Sequence, residues 1–426
     1  MSGQFPTREA IEAHQLAQLR RLLDAILPAN AFYREKLAGL NTAISSLNDF
    51  RERFPFTLKG ELVADQLRTP PFGTNLTFPP DRYTRFHQTS GTTSAPLRWL
   101  DTPESWQWMV ESWKEIYRAA GVGRGDRVYF AFSFGPFIGF WLAFEAAQQI
   151  GALCIPGGGL DSHARLRGII ENQATTLCCT PSYAARLAEV AINQNLNRPQ
   201  VRSIIVAGEP GGSVPSTRAR LEQLWPGARI FDHHGMTETG PVSYECPARP
   251  GTIHILESAY LPEIIDTAGN PVRGGETGEL VLTTLGRTGS PLLRYRTGDV
   301  VRAEADPRCQ CGRSDLALRG GIAGRTDEMV IVRGVNIYPT AIEDVLRRFS
   351  EIAEYQVAVD RSGSLVELRL QIEPAHNCAK PKDLPAQVEA ALHSTFNLRI
   401  AVSLAAIGTL PRFEMKSKRW VEPQKA

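Results

Sequence analysis

Between residues 127 and 232, short apolar runs alternate with helical patterns, and this alternation limits the fold more than any other feature of the chain. Residues 127–132, 153–156, 176–180, 203–207 and 229–232 read as strands. Residues 140–150, 166–172, 183–193 and 217–224 read as the helices between them. Strands linked by helices of that length form βαβ units, so the sheet is expected to be mostly parallel and covered on both faces. A further helix is expected over 102–119. From Gly278 onward the pattern becomes β-rich, with runs at 279–284 and 296–302. Past Arg325 it changes again. A short strand at 329–333, a helix at 340–348, antiparallel strands at 355–359 and 365–372 and a helix at 384–394 suggest a small α+β unit. A chain of 426 residues exceeds one core. The expected architecture is α/β: a large N-terminal domain over 1–325, with parallel sheets flanked by helices plus a β-rich subdomain, and a C-terminal domain over 326–426.

A net charge of +2 leaves no concentrated basic face, which argues against a nucleic-acid partner. Leu16, Leu19, Leu23 and Ile26 recur at helical spacing among charged residues and predict an amphipathic surface helix near the N-terminus. The most apolar stretch, 128–155, is interrupted by Ser133, Gly135, Pro136, Glu145, Gln148 and Gln149, so no membrane span is expected. Seven cysteines without a secretory signal do not make a disulfide framework, and a reducing cytoplasm is the expected compartment. Cys154, Cys178 and Cys179 fall in apolar strands and read as core packing.

Four segments carry candidate chemistry. Ser90, Gly91, Thr92 and Thr93 form a hydroxyl-rich run around a glycine, which suits a polyphosphate and equally describes a solvated turn. It is not a Walker A loop, whose Gly-Lys-Ser/Thr ending the chain lacks. The second segment runs from Asp232, His233 and His234 through Gly235 to Thr237 and Glu238, just after a strand, where ligands of parallel sheets gather. A hydroxyl there can reach phosphate and a carboxylate can hold Mg²⁺, although a capped turn is the plain alternative. The third pairs Tyr295, Arg296, Thr297, Gly298 and Asp299 with the downstream Arg325 and Asp327, each of which alone reads as a surface turn. The fourth, 411–419, is cationic and by itself reads as a solvated tail.

Together these segments resemble the core motifs of the adenylate-forming superfamily of acyl-CoA synthetases, luciferase and peptide-synthetase adenylation domains. TSGTT, HGMTE, YRTGD, GRTDEMVIVRGVNIYP and the late lysine segment stand in that order between residues 32 and 419. RFHQTSGTT, IGALCIPGGG, AGEP, PLLRYRTGD, CQCGR and RGVNIYP are most similar to phenylacetate–CoA ligases. The resemblance implies an ATP-dependent acid–thiol ligase. A carboxylate attacks the α-phosphorus of Mg·ATP to give acyl-AMP and pyrophosphate. The C-terminal domain then rotates, and a thiol displaces AMP. It further implies that Ser90, Gly91, Thr92 and Thr93 cradle phosphates, and that Ala207, Gly208, Glu209, Pro210, Asp232 and His233 border adenine. Thr237 would touch the α-phosphate, Glu238 hold Mg²⁺, Asp299 bind ribose, Arg325 support ribose or phosphate, and Asp327 mark the hinge. Lys416 would bridge the carboxylate and α-phosphate, with Lys418 two residues away. Two positions depart from the family pattern. Ser94-Ala95 replaces the usual Gly-Lys of the phosphate loop, and Met415 replaces the glycine before the lysine.

The thiol acceptor is expected to be coenzyme A, with a carrier-protein phosphopantetheine as the alternative and a non-catalytic nucleotide-binding module as a third. A small carboxylic acid and ATP are the remaining partners, and a homodimer is left open. Phe134, Pro136, Phe137, Ile138, Gly158, His234 and Gly235 are the expected acyl pocket, which suggests an aryl or arylalkanoic acid or, alternatively, ordinary packing. Cys246, His254, Cys309 and Cys311 have the donor set of a closed structural Zn²⁺ site, which some phenylacetate-type ligases also carry, and reduced structural cysteines are the alternative.

Overall fold

The computed structural model describes residues 5–89, 96–194, 196, 200–305, 309–333, 335–361, 366–376, 378–413 and 417–422. Its centre is a parallel sheet of five strands in the order Leu153–Pro156, Arg127–Phe130, Thr176–Cys179, Ser203–Val206, Arg229–Asp232. Successive side chains of a strand face opposite ways, and here both ways are apolar. Val128, Phe130, Cys178, Ile205 and Phe231 enter one core with helices Pro103–Ala120 and Ile138–Gln149. Tyr129, Leu177, Cys179, Ile204, Val206 and Ile230 enter the other with helices Ser162–Glu171, Pro181–Asn193 and Pro215–Leu224. Helix entry is marked by proline in the first turn, at Pro103, Pro181 and Pro215, where the missing N–H costs nothing. Thr102 and Thr180 cap their helices by accepting from Ser105 and Tyr183 backbone N–H groups.

The β-rich region is one antiparallel sheet of six strands, ordered Ser243–Glu245, Thr252–Ile255, Ala317–Arg325, Tyr295–Ala303, Thr277–Thr284, Tyr260–Ile265. Leu280, Leu282 and Val301 of this sheet share the first core. Residues 330–420 build a separate hydrophobic cluster around Ile337, Val345, Ile352, Val357, Ile372 and Val388. Its sheet orders Ala401–Leu404, Glu367–Pro374, Ile352–Asp360 and Trp420–Val421, the outer pairs parallel and the inner one antiparallel.

The N-terminal helix spans Arg8–Ile26 and is more deeply seated than a surface helix. Leu19, Leu22, Leu23 and Ile26 are buried against Tyr33, Phe50, Leu261 and Tyr295. Buried Gln15 donates to the Tyr260 carbonyl at 2.8 Å, and Arg8 pairs with buried Glu257 at 2.6 Å. Among the described residues, no helix is long and apolar enough to cross a membrane.

Two buried histidines tie this fold to pH. His87 stacks on Trp106 with ring centroids 5.1 Å apart, and His233 lies 4.4 Å from the Trp113 ring. Burial pushes each imidazole down to about 4. An unfolded histidine titrates near 6.5, so below that pH the unfolded chain takes up protons the folded chain refuses. The stabilisation from neutral burial is complete above about pH 6.5 and lost as pH falls toward 4, on the order of 3 kcal/mol per histidine. His87→Phe is expected to flatten the fall in melting temperature between pH 6.5 and 4, measured by thermal scans across that range.

Candidate active site

The loops that follow the C-terminal ends of strands Thr176–Cys179, Ser203–Val206 and Arg229–Asp232 lie side by side, because those strands are neighbours in the sheet. The last of these loops is a small hairpin. Gly235–Met236 pairs with Gly240–Pro241, and Thr237, Glu238 and Thr239 form its turn. Gly240 has φ +87°, and a Cβ there would lie 2.7 Å from Met109 Sδ, so both conformation and space demand glycine. Three hydrogen bonds from two buried side chains hold the turn from beneath. Arg287 Nη1 donates to the carbonyls of Thr237 and Glu238, both at 2.8 Å, and Tyr260 Oη donates to the Thr239 carbonyl at 2.8 Å. Arg287 is itself fixed by two 2.7 Å bonds to Asp101, and both side chains are fully buried.

Glu238 is buried, and its Oε1 lies 3.2 Å from Lys59 Nζ and 3.5 Å from Tyr295 Oη. Lys59 begins helix Lys59–Arg68, and its position follows from Thr57. Thr57 N–H donates to the Arg294 carbonyl and the Arg296 N–H donates to the Thr57 carbonyl, both at 3.0 Å. This bridge pins the start of the helix to the strand that carries Tyr295. Motif reading had passed over Lys59, since its segment contains no motif. The signal that could have found it is the cation missing at Ser94-Ala95, which raises the question of what replaces it.

Taken alone Tyr295 to Asp299 read as a surface turn, but they lie in the strand Tyr295–Ala303, within the β-rich run expected over 296–302, with Tyr295, Thr297 and Asp299 buried. The difference arises from register. Asp299 faces Arg325 across the ladder, and Gly298 at φ +78° makes the local irregularity that the sequence presents as a turn. Asp299 Oδ1 accepts from Arg325 Nη1 at 3.0 Å, and Oδ2 lies 2.9 Å from His234 Nε2. Arg325 also donates to Asp327 at 2.9 Å, and the two carboxylates hold its guanidinium firmly charged against the opposing effect of burial. Burial raises the Asp232 carboxyl, and Asp232 N–H donates to Glu245 at 2.6 Å. His233 Nδ1 donates to the Ser243 carbonyl at 2.8 Å, which orients the ring.

Ala207, Gly208, Glu209 and Pro210 follow strand Ser203–Val206, with Gly208 at φ +89°. Glu209 Oε1 accepts from Ser182 N–H at 2.8 Å and from the Ser182 hydroxyl. Its Oε2 accepts from Ser417 N–H and Oγ, both at 2.9 Å. Ser90, Gly91, Thr92, Thr93 and Lys416 lie outside the described residues. The flanks of the first segment are tied, since Thr89 N–H donates to the Leu97 carbonyl at 2.9 Å. Lys418 is exposed.

Gln88 N–H donates to the Pro136 carbonyl at 2.9 Å, so the phosphate-motif strand abuts the aromatic segment. Phe134 meets Trp141 and Phe144 at ring distances of 5.1 and 5.4 Å, while Phe137 meets Phe140 at 6.2 Å. Ile138 is buried in the core and opens the helix. A Cβ on Gly157 would lie 2.7 Å from the Phe130 carbonyl, and one on exposed Gly158 would lie 3.1 Å from Phe134. Packing thus accounts for the glycine at 157. His234 and Gly235 are half-buried beside the Glu238 turn.

Cys246, His254, Cys309 and Cys311 converge, with their ligand atoms all within 4.8 Å of one another. The Cys246–Cys309 sulfurs are 3.5 Å apart, as are Cys311 Sγ and His254 Nε2. Sulfurs at about 2.3 Å from a tetrahedral Zn²⁺ stand about 3.7 Å apart, so the residues present fit that ion. His254 Nδ1 lies 3.2 Å from the Asp315 carbonyl, an arrangement that leaves Nε2 as the ligand lone pair. Cys178 and Cys179 are buried in the two cores of the parallel sheet, and Cys154 packs against one of them. Burial pushes Cys178 up to about 12 and Cys154 up to about 11.

Residues 59–286 match the AMP-binding enzyme family, and 334–423 match the AMP-binding enzyme C-terminal domain. A phenylacetate-coenzyme A ligase from Thermus thermophilus is 35% identical over 375 residues, covering 86% of this chain and 82% of that protein. A crystal structure of 2-hydroxyisobutyryl-CoA ligase in the postadenylation state, bound to its acyl-AMP, superimposes with a TM-score of 0.93 at 27% identity. It covers 99% of this chain and 93% of that one. The same ligase in its thioesterification state gives 0.73 over 98% and 91%. The two parts of this molecule are therefore arranged as in the former. The chain belongs to the AMP-binding enzyme family, beside the phenylacetate–coenzyme A ligases, and is an ATP-dependent, acyl-adenylate-forming ligase.

Proposed function

We propose that this enzyme joins an aryl or arylalkanoic acid to coenzyme A through an acyl-adenylate. The observation that carries this reading is the convergence of the Thr237–Glu238 turn, the Asp299–Arg325 pair and Ser417 at one end of the parallel sheet. One oxygen of the acid attacks the α-phosphorus, and the bond to pyrophosphate breaks. The coenzyme A thiolate then attacks the acyl carbon, and AMP leaves. Coenzyme A is preferred to a carrier-protein arm because relatives spanning most of the chain are named as coenzyme A ligases. The ring cluster of Phe134, Phe137, Phe140 and Trp141, together with the phenylacetate named for those relatives, supports an aromatic acid.

Both reactants are anions, so catalysis needs cations where charge gathers. Glu238 would hold Mg²⁺, which neutralises phosphate charge when bound, and its present partner Lys59 supports a carboxylate aimed at a cation. Lys59 would supply the phosphate contact missing at Ala95. Ser90, Gly91, Thr92 and Thr93 would cradle phosphates, Thr237 contact the α-phosphate, and Asp299 accept from ribose while Arg325 supports it. Ala207 to Pro210, with Asp232 and His233, would border adenine. His234 and Gly235 would help line the acyl pocket. Lys416 would bridge the attacking carboxylate and the α-phosphate. The unit from 326 onward would rotate about Asp327 to withdraw that lysine before the thiol enters. Cys246, His254, Cys309 and Cys311 would hold a structural Zn²⁺.

Four outcomes test this reading. Lys416→Ala should abolish pyrophosphate release yet leave thioester formation from a chemically prepared acyl-adenylate largely intact, measured with a panel of aryl acids. Lys59→Ala should lower adenylation about tenfold through KM for ATP, the size expected for one charged contact. Metal analysis of native enzyme should find about one zinc per chain, and Cys309→Ser should lower that content and the melting temperature together. Arg287→Ala strands buried Asp101 and should cost about 3–5 kcal/mol in chemical denaturation.

A further inference from the structure

In the last motif the lysine is followed by Ser417, and Ser417 meets the Glu209 carboxylate. Glu209 receives four hydrogen bonds, divided evenly between its two oxygens. Oε1 takes the Ser182 N–H at 2.8 Å and the Ser182 hydroxyl, at the start of helix Pro181–Asn193. That side is permanent, since both partners belong to the same parallel-sheet unit. Oε2 takes the Ser417 N–H and hydroxyl, each at 2.9 Å, from a residue more than two hundred positions away in the C-terminal unit. The carboxylate is therefore held by one side and offers its free side to the segment immediately following Lys416.

The second observation is the conformation itself. The molecule superimposes at 0.93 on a ligase in its postadenylation state and at 0.73 on the same ligase in its thioesterification state, with coverage nearly unchanged. Contacts between the two units therefore belong to one arrangement. Besides the Ser417 pair they include Arg220 Nη1 donating to the Ile352 carbonyl at 2.8 Å and the Ser216 N–H facing Asp344 at 3.4 Å. These latter contacts hold the unit, but they lie on helix Pro215–Leu224 and not in the lysine segment. Charge-assisted bonds to a carboxylate are about twice as strong as neutral ones. A paired N–H and hydroxyl on one oxygen also fix rotation as well as distance.

We infer that Glu209 is the docking carboxylate for the lysine segment. It is a positioning residue that seats Ser417 during adenylation and so sets the register of Lys416, and it releases Ser417 when the unit turns. This rests on the two-step reading proposed above, and it assigns to Glu209 a role distinct from bordering adenine. It also gives Ser417 a reason to be a hydroxyl residue, since no nucleotide role is needed for it.

Ser417→Asp sets a carboxylate against Glu209 and tests the dock directly. Pyrophosphate release should fall about tenfold or more, with KM for ATP nearly unchanged. Thioester formation from prepared acyl-adenylate and coenzyme A should stay within about twofold, since the dock is open in that step. Adding Glu209→Gln should restore most of the adenylation rate. The Gln oxygen can still accept from Ser182, and its amide N–H can donate to the new carboxylate. Equal slowing of both half-reactions, unchanged pyrophosphate release, or no rescue by Glu209→Gln would each overturn the dock. Lys416→Ala run in parallel separates the two claims. If it leaves pyrophosphate release intact, the lysine assignment fails. If it abolishes release while the serine series shows no split, only the dock fails.

Discussion

The active site rests on an ion pair that never meets solvent. Asp101 and Arg287 are both fully buried and joined by two 2.7 Å bonds, and burying two charges so completely is costly unless every polar atom finds a partner. The remaining guanidinium nitrogen donates to two carbonyls of the Thr237–Glu238 turn, so the pair is satisfied only when that turn has its present shape. Arg287 also lies over the Trp99 ring at 5.1 Å, which covers the face that hydrogen bonds cannot use. Asp101 ends the strand that returns from the phosphate segment, and Arg287 follows the strand Thr277–Thr284 of the other sheet. One interaction thereby joins three parts of the chain beneath the catalytic turn. An apolar pair of similar volume could stabilise the fold equally well, but it could not grip backbone carbonyls.

Above that pair, charges alternate across the cleft. Lys59 faces Glu238, Arg325 faces Asp299, and Asp327 faces Arg325 in turn. Each carboxylate has a cation within about hydrogen-bonding reach, so none sits as a bare charge in a partly dry cleft. The same arrangement suits a polyanionic substrate. On the proposed reading, Lys59 would turn from Glu238 toward phosphate and Glu238 would hold Mg²⁺. Neutral His233 adds no charge of its own, because burial holds its imidazole well below the usual range.

Much of this was readable before any coordinates. The parallel sheet was legible because strands buried on both faces are apolar throughout, as at Leu177, Cys178, Ile204 and Ile205. Helix starts were legible less closely: the apolar pattern opens helices at Tyr183 and Thr217, whereas proline in the first turn opens them at Pro181 and Pro215. The four zinc-type ligands were legible because cysteine spaced as C-x-C among polar residues suits few other uses, and the structure brings all four together. What escaped was long-range. Lys59 reaches Glu238 only because Thr57 pairs with the strand at Tyr295, and a pairing across more than two hundred residues leaves no periodicity in either segment. The turn alternative for Asp299 fails for a related reason. Gly298 carries the local mark of a turn, while the ladder to Arg325 that overrides it depends on a distant strand. The buried Asp101–Arg287 pair was equally invisible, since a lone aspartate and a lone arginine read as surface residues.

The cysteine cluster and the nucleotide residues share one piece of architecture. Strands Tyr295–Ala303 and Ala317–Arg325 form a hairpin whose far ends carry Asp299 and Arg325, and whose connecting segment carries Cys309 and Cys311. Cys246 and His254 stand on the neighbouring strand pair, so the four ligand atoms tie the hairpin's loop to the sheet beside it. That same pair carries Glu245, which accepts from the Asp232 N–H and from Arg218. A long connection is the part of a hairpin that loses the most entropy on ordering. A Zn²⁺ held by the four side chains, as proposed, would shift that cost away from the Asp299–Arg325 ladder. The position of Asp299 and Arg325, the proposed ribose and phosphate contacts, would then be set by two restraints on one hairpin, the cluster at its loop and the ion pair at its open end.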